Sequence, residues 1–194
     1  MSKLILITGG QAVGKMTVGE KLKEKTGFAM TINHDSLDLA GKIFGWRTPA
    51  QKELSKKIRE DTFKAAINNN IDLIFTYVWA FDQQSDWDYV ESINQMFNGE
   101  IYIVELVANI QTRLARNDTE HRKEVKPTKK NIEESNQNLI EDSNKYRLIS
   151  NDGEVQYKNY IKIDNTNLSP ENVTDIIIER FNFKTKEEKG KDER

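Results

Sequence analysis

Residues 4–22 constrain the fold of this chain more than any other segment. Their sequence is LILITGGQAVGKMTVGEKL, a short apolar run followed directly by a glycine-containing turn and an amphipathic stretch. Gly9 and Gly14 stand at the spacing G-x-x-x-x-G-K, with Lys15 after the second glycine. This spacing, between a buried strand and a helix, is typical of a loop that holds phosphate groups. The segment therefore predicts a strand, a phosphate-binding loop and a helix.

Each part of the predicted loop contributes to anion binding. Glycine permits positive φ, so that successive backbone N–H groups turn inward and form a concave anion site. The helix that begins near Lys15 directs its free N–H groups and the positive end of its dipole at the same point. Lys15 adds a mobile positive charge for the terminal phosphates. The predicted nucleotide-binding residues are Gly9, Gly10, Gln11, Ala12, Val13, Gly14, Lys15, Met16 and Thr17.

The residue after the lysine departs from the usual pattern. This position ordinarily has Ser or Thr, whose hydroxyl coordinates Mg²⁺, and here it is Met16. A thioether is a poor magnesium ligand, and Thr17 is rotated by about 100° around the helix, which suits the α-phosphate better. A water molecule can replace the missing hydroxyl, because Mg²⁺ keeps several waters in most protein sites. We expect magnesium dependence and leave the metal ligands unassigned.

Short apolar runs alternate with longer charged, helix-periodic stretches along the chain. The predicted strands are residues 4–8, 29–33, 73–78, 101–107 and 160–163. The predicted helices are residues 15–25, 36–44, 50–69, 87–97, 110–116, 131–150 and 171–181. This alternation is typical of an α/β domain with a parallel sheet. We place one domain at residues 1–183 and a charged, flexible tail at residues 184–194.

Composition excludes several classes of site. The 194 residues include Cys 0 and His 2, which excludes disulfides and thiolate nucleophiles and leaves little material for a zinc centre. Lys+Arg 29 balance Asp+Glu 31, unlike a protein that coats nucleic acid. No apolar run approaches the ~20 residues that span a bilayer. We expect a cytoplasmic protein without a nucleic-acid or membrane partner, and the oligomeric state stays open.

The second predicted strand ends in Asn33, His34, Asp35 and Ser36. A carboxylate at the carboxyl edge of an open α/β sheet lies where ligands bind, and it can accept a proton from an attacking hydroxyl. Asp35 or Ser36 can also cap the following helix. His34 fits either an acid–base role or a structural hydrogen bond. We take Asp35 as the candidate base.

The third predicted strand leads into Tyr77, Trp79 and Phe81 with no acidic residue at its end. The second magnesium carboxylate of ATPase motors is therefore not visible, which argues against a motor. The aromatic side chains either form a wall of an acceptor pocket or pack the sheet edge against a helix. Asp82 and Asp86 follow them and are interpreted as loop charges.

A basic, polar stretch at residues 117–130 follows the fourth strand and is predicted to be a lid. Phosphoryl transfer is catalysed mostly by positioning and by cations, so we take Arg116 and Arg122 as candidates that contact the transferring phosphate, with Arg113 next. The lysines of this stretch are explained equally well by a solvated helix face. Residues 164–167 follow the fifth strand, where a short polar loop either meets a purine base or starts the last helix.

Together, the motifs GGQAVGKMT, HDSLDLA, the arginine-bearing lid and IDNTNLSPENV resemble the small P-loop kinases. Within that group the chain is similar to chloramphenicol phosphotransferase and to the shikimate and gluconate kinases, often described as AAA-family ATPases. The resemblance covers residues 3–181. It implies a three-layer α/β fold with a parallel sheet in the order 2-3-1-4-5, ATP with Mg²⁺ as the phosphoryl donor, and Asp35 as the base. The acceptor is not implied, because such sites vary on one fold.

The expected function is that of an ATP-dependent kinase, which moves the γ-phosphate to a hydroxyl of a small molecule. Its predicted catalytic residues are Lys15, Asp35, Arg116 and Arg122. Its partners are a nucleotide and a small-molecule acceptor.

Two other functions stay open. Met16 and the missing second acid favour a nucleotide-binding regulatory module with weak or no kinase activity. A nucleoside monophosphate kinase is the third possibility, and it needs arginines at the acceptor site. Arg47 and Arg59 are the only arginines before the third strand.

Overall fold

A five-stranded parallel sheet forms the centre of the molecule. The computed structural model describes residues 1–118 and 132–192. The strands are β1 (Leu4–Thr8), β2 (Ala29–Ile32), β3 (Leu73–Thr76), β4 (Ile101–Val107) and β5 (Tyr160–Asp164). Their order is β2-β3-β1-β4-β5, and every neighbouring pair is parallel. The predicted α/β class and the predicted strand order are confirmed.

Helices cover both faces of the sheet. In the described part of the chain they are α1 (Lys15–Thr26), α2 (Asn33–Phe44), α3 (Pro49–Asn68), α4 (Gln84–Met96), α5 (Ile110–Asn117), α6 (Ile132–Lys145), α7 (Pro170–Phe181) and α8 (Lys186–Asp192). Local side-chain hydrogen bonds set the start of two of these helices. Thr48 Oγ1 accepts from the Gln51 N–H over 3.1 Å at the start of α3, and Ser169 Oγ accepts from the Asn172 N–H over 3.1 Å at the start of α7. These caps satisfy N–H groups that a helix leaves without a partner.

The central strand β1 is buried on both faces, because its side chains alternate between two layers of core. Leu4 and Leu6 pack on the side of α3 and α4, in a cluster that contains Phe63, Val90, Ile93 and Phe97. Ile5 and Ile7 pack on the side of α1 and α7, in a cluster that contains Val18, Leu22, Val173 and Ile177. The core thereby fixes β1 in the middle of the sheet and directs its carboxyl end at the glycine loop.

The boundary between β2 and α2 differs from the prediction. We expected a strand to residue 33 and a helix from residue 36, but β2 ends at Ile32 and α2 begins at Asn33. The Asp35 carboxylate accepts from the Ile32 N–H over 2.9 Å and so closes the first turn. The side chains of Asn33 and His34 are therefore presented by a helical turn instead of a loop.

The C-terminal segment also differs from the expected flexible tail. Residues 186–192 form α8, and Thr185 precedes it with a reciprocal cap. The Glu188 N–H donates to Thr185 Oγ1 over 3.3 Å, while the Thr185 N–H donates to Glu188 Oε2 over 2.8 Å. This Thr-x-x-Glu capping box is a local signal for the start of a helix, and the charged composition of the segment alone does not reveal it. Lys189 Nζ then donates to the Thr26 carbonyl over 2.9 Å, which fastens α8 to the end of α1.

Candidate active site

A cleft of about 250 Å³ lies at the carboxyl edge of the sheet, where the chain leaves β1. The connections from β1 and from β3 lead to opposite sides of the sheet, and such a point is where open α/β folds bind ligands. The glycine loop forms the middle of the cleft. The described residues that line it are Gln11, Ala12, Val13, Gly14, Lys15, Met16, Thr17, Val18, Asn33, His34, Thr76, Tyr77, Val78, Arg116, Asn165, Leu168 and Pro170.

The backbone of the loop has the curvature that the glycine spacing predicts. Gly9 has φ 134° and Gly14 has φ 105°, both in a region that side chains disfavour. A Cβ at Gly9 would lie 2.3 Å from the Leu106 carbonyl oxygen, so a side chain there is excluded by β4 itself. Ala12 also has positive φ, at 58°. The loop therefore turns sharply over the end of the sheet.

Side chains of α5 and of the loop after β5 hold carbonyl groups of the glycine loop in place. Arg113 Nε donates to the Gln11 carbonyl over 2.8 Å. Arg116 Nη1 donates to the Val13 carbonyl over 3.1 Å, and Asn165 Nδ2 donates to the same oxygen over 2.9 Å. These bonds fix the peptide groups after Gln11 and Val13, in a turn of the kind whose N–H groups can form an anion site.

Arg113 supports the loop from behind and does not line the cleft. It is 7% exposed, and its guanidinium lies against Gly10, where a Cβ would meet Nη2 at 2.6 Å. Burial lowers the pKa of Arg113, although a guanidinium stays charged at neutral pH. Its Nη2 has no hydrogen-bond partner among the described residues. The position of Arg113 suits support of the loop better than contact with a transferring phosphate.

Lys15 lies in the cleft and folds back over its own loop. Its Nζ donates to the carbonyl oxygens of Gly9 over 2.5 Å and of Gly10 over 2.7 Å. Gly14 caps α1, and the free N–H groups of the first helical turn follow it. The ammonium group thus lies at the glycines of the loop, and the first residues of α1 line the same cleft.

Met16 and Thr17 both line the cleft. The thioether of Met16 offers no oxygen to a magnesium ion, whereas Thr17 carries a hydroxyl on the same helical turn. In residues 1–118 and 132–192, no three histidine or acidic side chains are grouped so that they could hold a metal ion. The metal ligands therefore stay unassigned.

The end of the cleft next to β4 and β5 combines a planar cation with apolar side chains, and we call it the nucleoside end. Arg116 Nη2 donates to the Asn165 carbonyl over 2.8 Å, and Leu168 and Pro170 lie beside this pair. Such a mixture suits an aromatic base. Arg116 Nη1 also donates to the Val13 carbonyl over 3.1 Å, and its expected contact with the transferring phosphate stays a prediction. Asn165 lines the cleft, and the purine interpretation of residues 164–167 stays a prediction.

The opposite end, which we call the acceptor end, is lined by Asn33 and His34 from α2 and by Thr76, Tyr77 and Val78 after β3. The Tyr77 hydroxyl donates to Asp86 Oδ1 over 3.1 Å. Burial raises the pKa of Tyr77, so this phenol keeps its proton and acts as a donor.

The other aromatic and acidic residues after β3 have structural roles. Trp79 and Phe81 are buried and stack on each other with ring centroids 4.8 Å apart, which is the packing alternative for these residues. Asp86 Oδ2 accepts from the Ala80 N–H over 2.8 Å, and Asp82 Oδ1 accepts from the Arg147 N–H over 3.1 Å. Both carboxylates fasten the segment between β3 and α4.

Asp35 occupies a capping position beside the cleft. Its Oδ2 accepts from the Ile32 N–H over 2.9 Å and from Thr31 Oγ1 over 3.1 Å, and its side chain is exposed. It is absent from the residues that line the cleft. The geometry matches the capping alternative, and a role as base stays a prediction. Arg122 and most of the expected lid at residues 117–130 lie outside the described residues.

Comparison with known proteins identifies the fold. No family model and no curated protein matches the chain. Solved structures do: a sugar kinase from Janibacter sp. HTCC2649 superposes with a TM-score of 0.62 at 11% identity, over 94% of this chain and 96% of that chain. A shikimate kinase from Bacteroides thetaiotaomicron has a TM-score of 0.56 at 12% identity, over 93% and 98%. The chain has the fold of the small P-loop kinases.

A third structure with this P-loop kinase fold is the tunicamycin resistance protein of Deinococcus radiodurans. Its TM-score is 0.58 at 16% identity, over 95% of this chain and 98% of that chain. The names of the three proteins refer to different compounds. In the described part of the chain, no helix has the length and apolar character needed to cross a membrane.

Two side-chain contacts of this P-loop kinase fold were missed by the sequence analysis. Gln11 Nε2 donates to Asp142 Oδ2 over 2.5 Å and connects the phosphate loop to α6. Arg59 Nη1 donates to Asn33 Oδ1 over 2.5 Å and fixes the first residue of α2 from α3. No local pattern signals either contact, because the partners are separated by 131 and 26 residues.

Proposed function

We propose that the protein is an ATP-dependent phosphotransferase that moves the γ-phosphate of ATP to a hydroxyl of a small molecule. The observation that carries this proposal is the position of the phosphate loop between two differently lined ends of one cleft. A phosphate chain held at the centre has its base at the nucleoside end and its terminal phosphate toward the acceptor end. This is the arrangement that direct transfer between two bound molecules needs.

Lys15 is the residue that responds to the nucleotide. Two of the acceptors of its ammonium group are the neutral carbonyls of Gly9 and Gly10. A phosphate oxygen is a stronger acceptor for a cationic donor than a peptide carbonyl, so the side chain moves onto the phosphates when ATP binds. Lys15 then offsets charge on the oxygens around the transferring phosphorus.

The nucleoside end positions the donor. Arg116 and Asn165 tie the Val13 carbonyl to the loop after β5, so the wall that meets the base is built onto the phosphate loop itself. The parts of the cleft that bind the base and the phosphates therefore keep a fixed position relative to each other. Magnesium, when bound, neutralises phosphate oxygens during transfer; with Met16 after Lys15, we infer that phosphate oxygens and water supply most of its ligands.

The acceptor end favours a neutral polar acceptor over a nucleotide. Asn33, His34, Thr76 and Tyr77 offer amide, imidazole and hydroxyl groups there. A nucleoside monophosphate needs arginines at this end, and none is among the described residues that line it. Arg59 donates to the Asn33 side chain and lies over the Tyr89 ring, and Arg47 is exposed in the turn between α2 and α3.

The second candidate function is a nucleotide-binding module whose ATP occupancy regulates a partner. Met16 favours it, because weakened metal binding lowers catalysis more than it lowers nucleotide binding. The two functions differ in whether ATP is consumed.

The test is a screen of purified protein with ATP and MgCl₂ against sugars, alcohols, antibiotics and nucleosides, followed by ³¹P NMR of the products. We expect a phosphate ester to form with at least one acceptor class. Lys15→Met should abolish its formation, whereas Lys64→Met, which removes an exposed lysine of α3, should leave it unchanged. ATP binding without any ester, together with ATP-dependent association with another protein, would replace the kinase by the module.

A further inference from the structure

We propose that His34, held by Asp38, is the general base that removes the proton from the acceptor hydroxyl. This inference rests on the proposed function, because it assigns a step of the phosphoryl transfer. The sequence pattern favours Asp35, one residue along the same helix, as the base. The two residues differ in where the helix puts them.

The geometry brings an imidazole and a carboxylate together beside the acceptor end. His34 lines the cleft, and its Nδ1 lies 3.4 Å from Asp38 Oδ1. The two residues are four apart in α2, so they stand on one face of the helix, one turn from each other. Their side chains are 28% and 29% exposed. The pair is therefore partly shielded from water, and His34 borders the cleft.

The start of α2 explains why His34, and not Asp35, lines the cleft. Adjacent helical residues point about 100° apart. Asp35 uses its carboxylate to cap Ile32 on the exposed side of the turn, which leaves the neighbouring position for the cleft. Arg59 holds Asn33 from α3 and so fixes the same turn from the other side.

The chemistry follows from the two ring nitrogens. A carboxylate beside Nδ1 favours the tautomer with its proton on Nδ1, so proton transfer with the acceptor falls to Nε2. As the acceptor oxygen forms its bond to the γ-phosphorus, its proton passes to Nε2. The bond between the γ-phosphorus and the bridging oxygen breaks, and ADP leaves with that electron pair. The imidazolium so formed is stabilised by Asp38, a positioning residue that does not touch the acceptor.

Several other charged or titratable groups surround this end of the cleft. Among the described residues they include Lys15 at the phosphate loop, Asp35 on the same helix, Arg59 on α3 and Tyr77 after β3. Lys15 and Arg59 disfavour the imidazolium, whereas Asp35 and Asp38 favour it. Because these other groups stay the same when Asp38 alone is varied, a change in the pKa of His34 reports the effect of Asp38.

An NMR titration tests the pair without any turnover. The chain has His 2, which are His34 and His121, so two imidazole signals are expected, and His121→Gln assigns them. We expect the pKa of His34 to be at least about 0.5 lower in Asp38→Asn than in wild type, because the carboxylate that favours the charged ring is lost. Asp88→Asn, an exposed carboxylate of α4, should leave that pKa unchanged.

Kinetics test the catalytic assignment. The probe is the acceptor found by ³¹P NMR or, without one, water in the hydrolysis of ATP. We expect His34→Gln to lower kcat by about 10²- to 10⁴-fold while the KM for ATP stays within about twofold. In wild type kcat should fall at acid pH as His34 becomes protonated. Asp38→Asn should move this acid limb to lower pH, which a merely structural residue would not do.

The outcomes separate the two proposals. Failure of wild type to bind ATP removes the kinase, and an equal pKa of His34 in wild type and Asp38→Asn removes the pair. If ATP is turned over and His34→Gln retains kcat while Asp35→Asn loses it, the kinase stands and the base is Asp35. A shifted pKa combined with loss of kcat in His34→Gln supports the assignment made here.

Discussion

Nη2 of Arg116 donates to the main-chain carbonyl of Asn165 over 2.8 Å. Asn165 in turn donates from its side chain to the Val13 carbonyl over 2.9 Å. These two bonds join α5, the loop after β5 and the phosphate loop, although 152 residues separate Val13 from Asn165. The nucleoside end of the cleft is thus assembled on the loop that holds the phosphates, and its residues can be tested separately from those that carry charge to the phosphates.

We predict that Arg116→Met weakens ATP binding by about 10- to 100-fold, the cost of losing charge-assisted hydrogen bonds worth roughly 1.5–3 kcal/mol. Inorganic tripolyphosphate, which lacks the nucleoside, should bind wild type and variant with affinities that differ much less. Calorimetry with both ligands measures this, and Arg180→Met on the exposed face of α7 is the control. Unchanged ATP affinity with a large loss of turnover would instead place Arg116 at the transferring phosphate.

We predict that Gly10→Ala destabilises the protein by about 1–3 kcal/mol and weakens ATP binding. The added Cβ would lie 2.6 Å from Arg113 Nη2 and 2.8 Å from its Cζ, and this guanidinium is buried and bound to Gln11. Urea titration measures the free energy of unfolding. Gly190→Ala is the matched control, since nothing lies within 4 Å of a Cβ there. Equal stability of the two variants would mean that Arg113 moves aside freely.

We predict that Met16→Thr lowers the magnesium concentration needed for half-maximal activity and leaves metal-free ATP affinity within about twofold. The threonine restores a hydroxyl at the position where phosphate loops offer one to the metal. A magnesium titration of activity, beside calorimetry in EDTA, measures both quantities. If the magnesium dependence of Met16→Thr matches that of wild type, the ion is held elsewhere in the cleft.

We predict that the pair of Arg147 and Glu154 stabilises the fold at neutral pH and not in acid. Two bonds of 2.5 and 2.6 Å join the guanidinium to the carboxylate, and the first of the causes that lower the pKa of Glu154 from 4.5 is this hydrogen bonding. A carboxyl whose folded-state pKa is depressed contributes stability above its unfolded value and loses it as pH falls through the folded value.

Glu154→Gln should therefore have a lower Tm than wild type at about pH 7, and the two Tm values should converge as the pH falls through the lowered pKa of Glu154. Thermal unfolding followed by circular dichroism across this range measures the difference. A constant difference in Tm across the whole range would show that the side chains act through packing and not through charge.

The backbone shape of the glycine loop and the sheet could be predicted from the sequence because their signals are local. The spacing of Gly9, Gly14 and Lys15 reports a backbone shape, and short apolar runs report buried parallel strands. Such patterns depend on neighbours in the chain. The order of the strands came from the resemblance to P-loop kinases and is confirmed by the pairing of β1 with both β3 and β4.

The acceptor end could not be predicted to the same extent, because it depends on where one helical turn begins. A start at Asn33, three residues earlier than expected, turns Asp35 into a cap and brings His34 to the cleft. Contacts between residues that are far apart in the sequence could not be predicted either. The bond between Gln11 and Asp142 joins residues whose proximity arises only when α6 packs over the loop.

The central claim is that ATP binds through the phosphate loop, and calorimetry of ATP with wild type, Lys15→Met and Lys64→Met tests it most directly. Lys15 lies in the cleft at the start of α1, whereas Lys64 is exposed on α3. We predict saturable binding to wild type and Lys64→Met and a loss of about 10-fold or more in Lys15→Met, as for removal of a charge-assisted phosphate contact. Equal affinity of all three proteins, or no binding to wild type at millimolar ATP, would contradict the account.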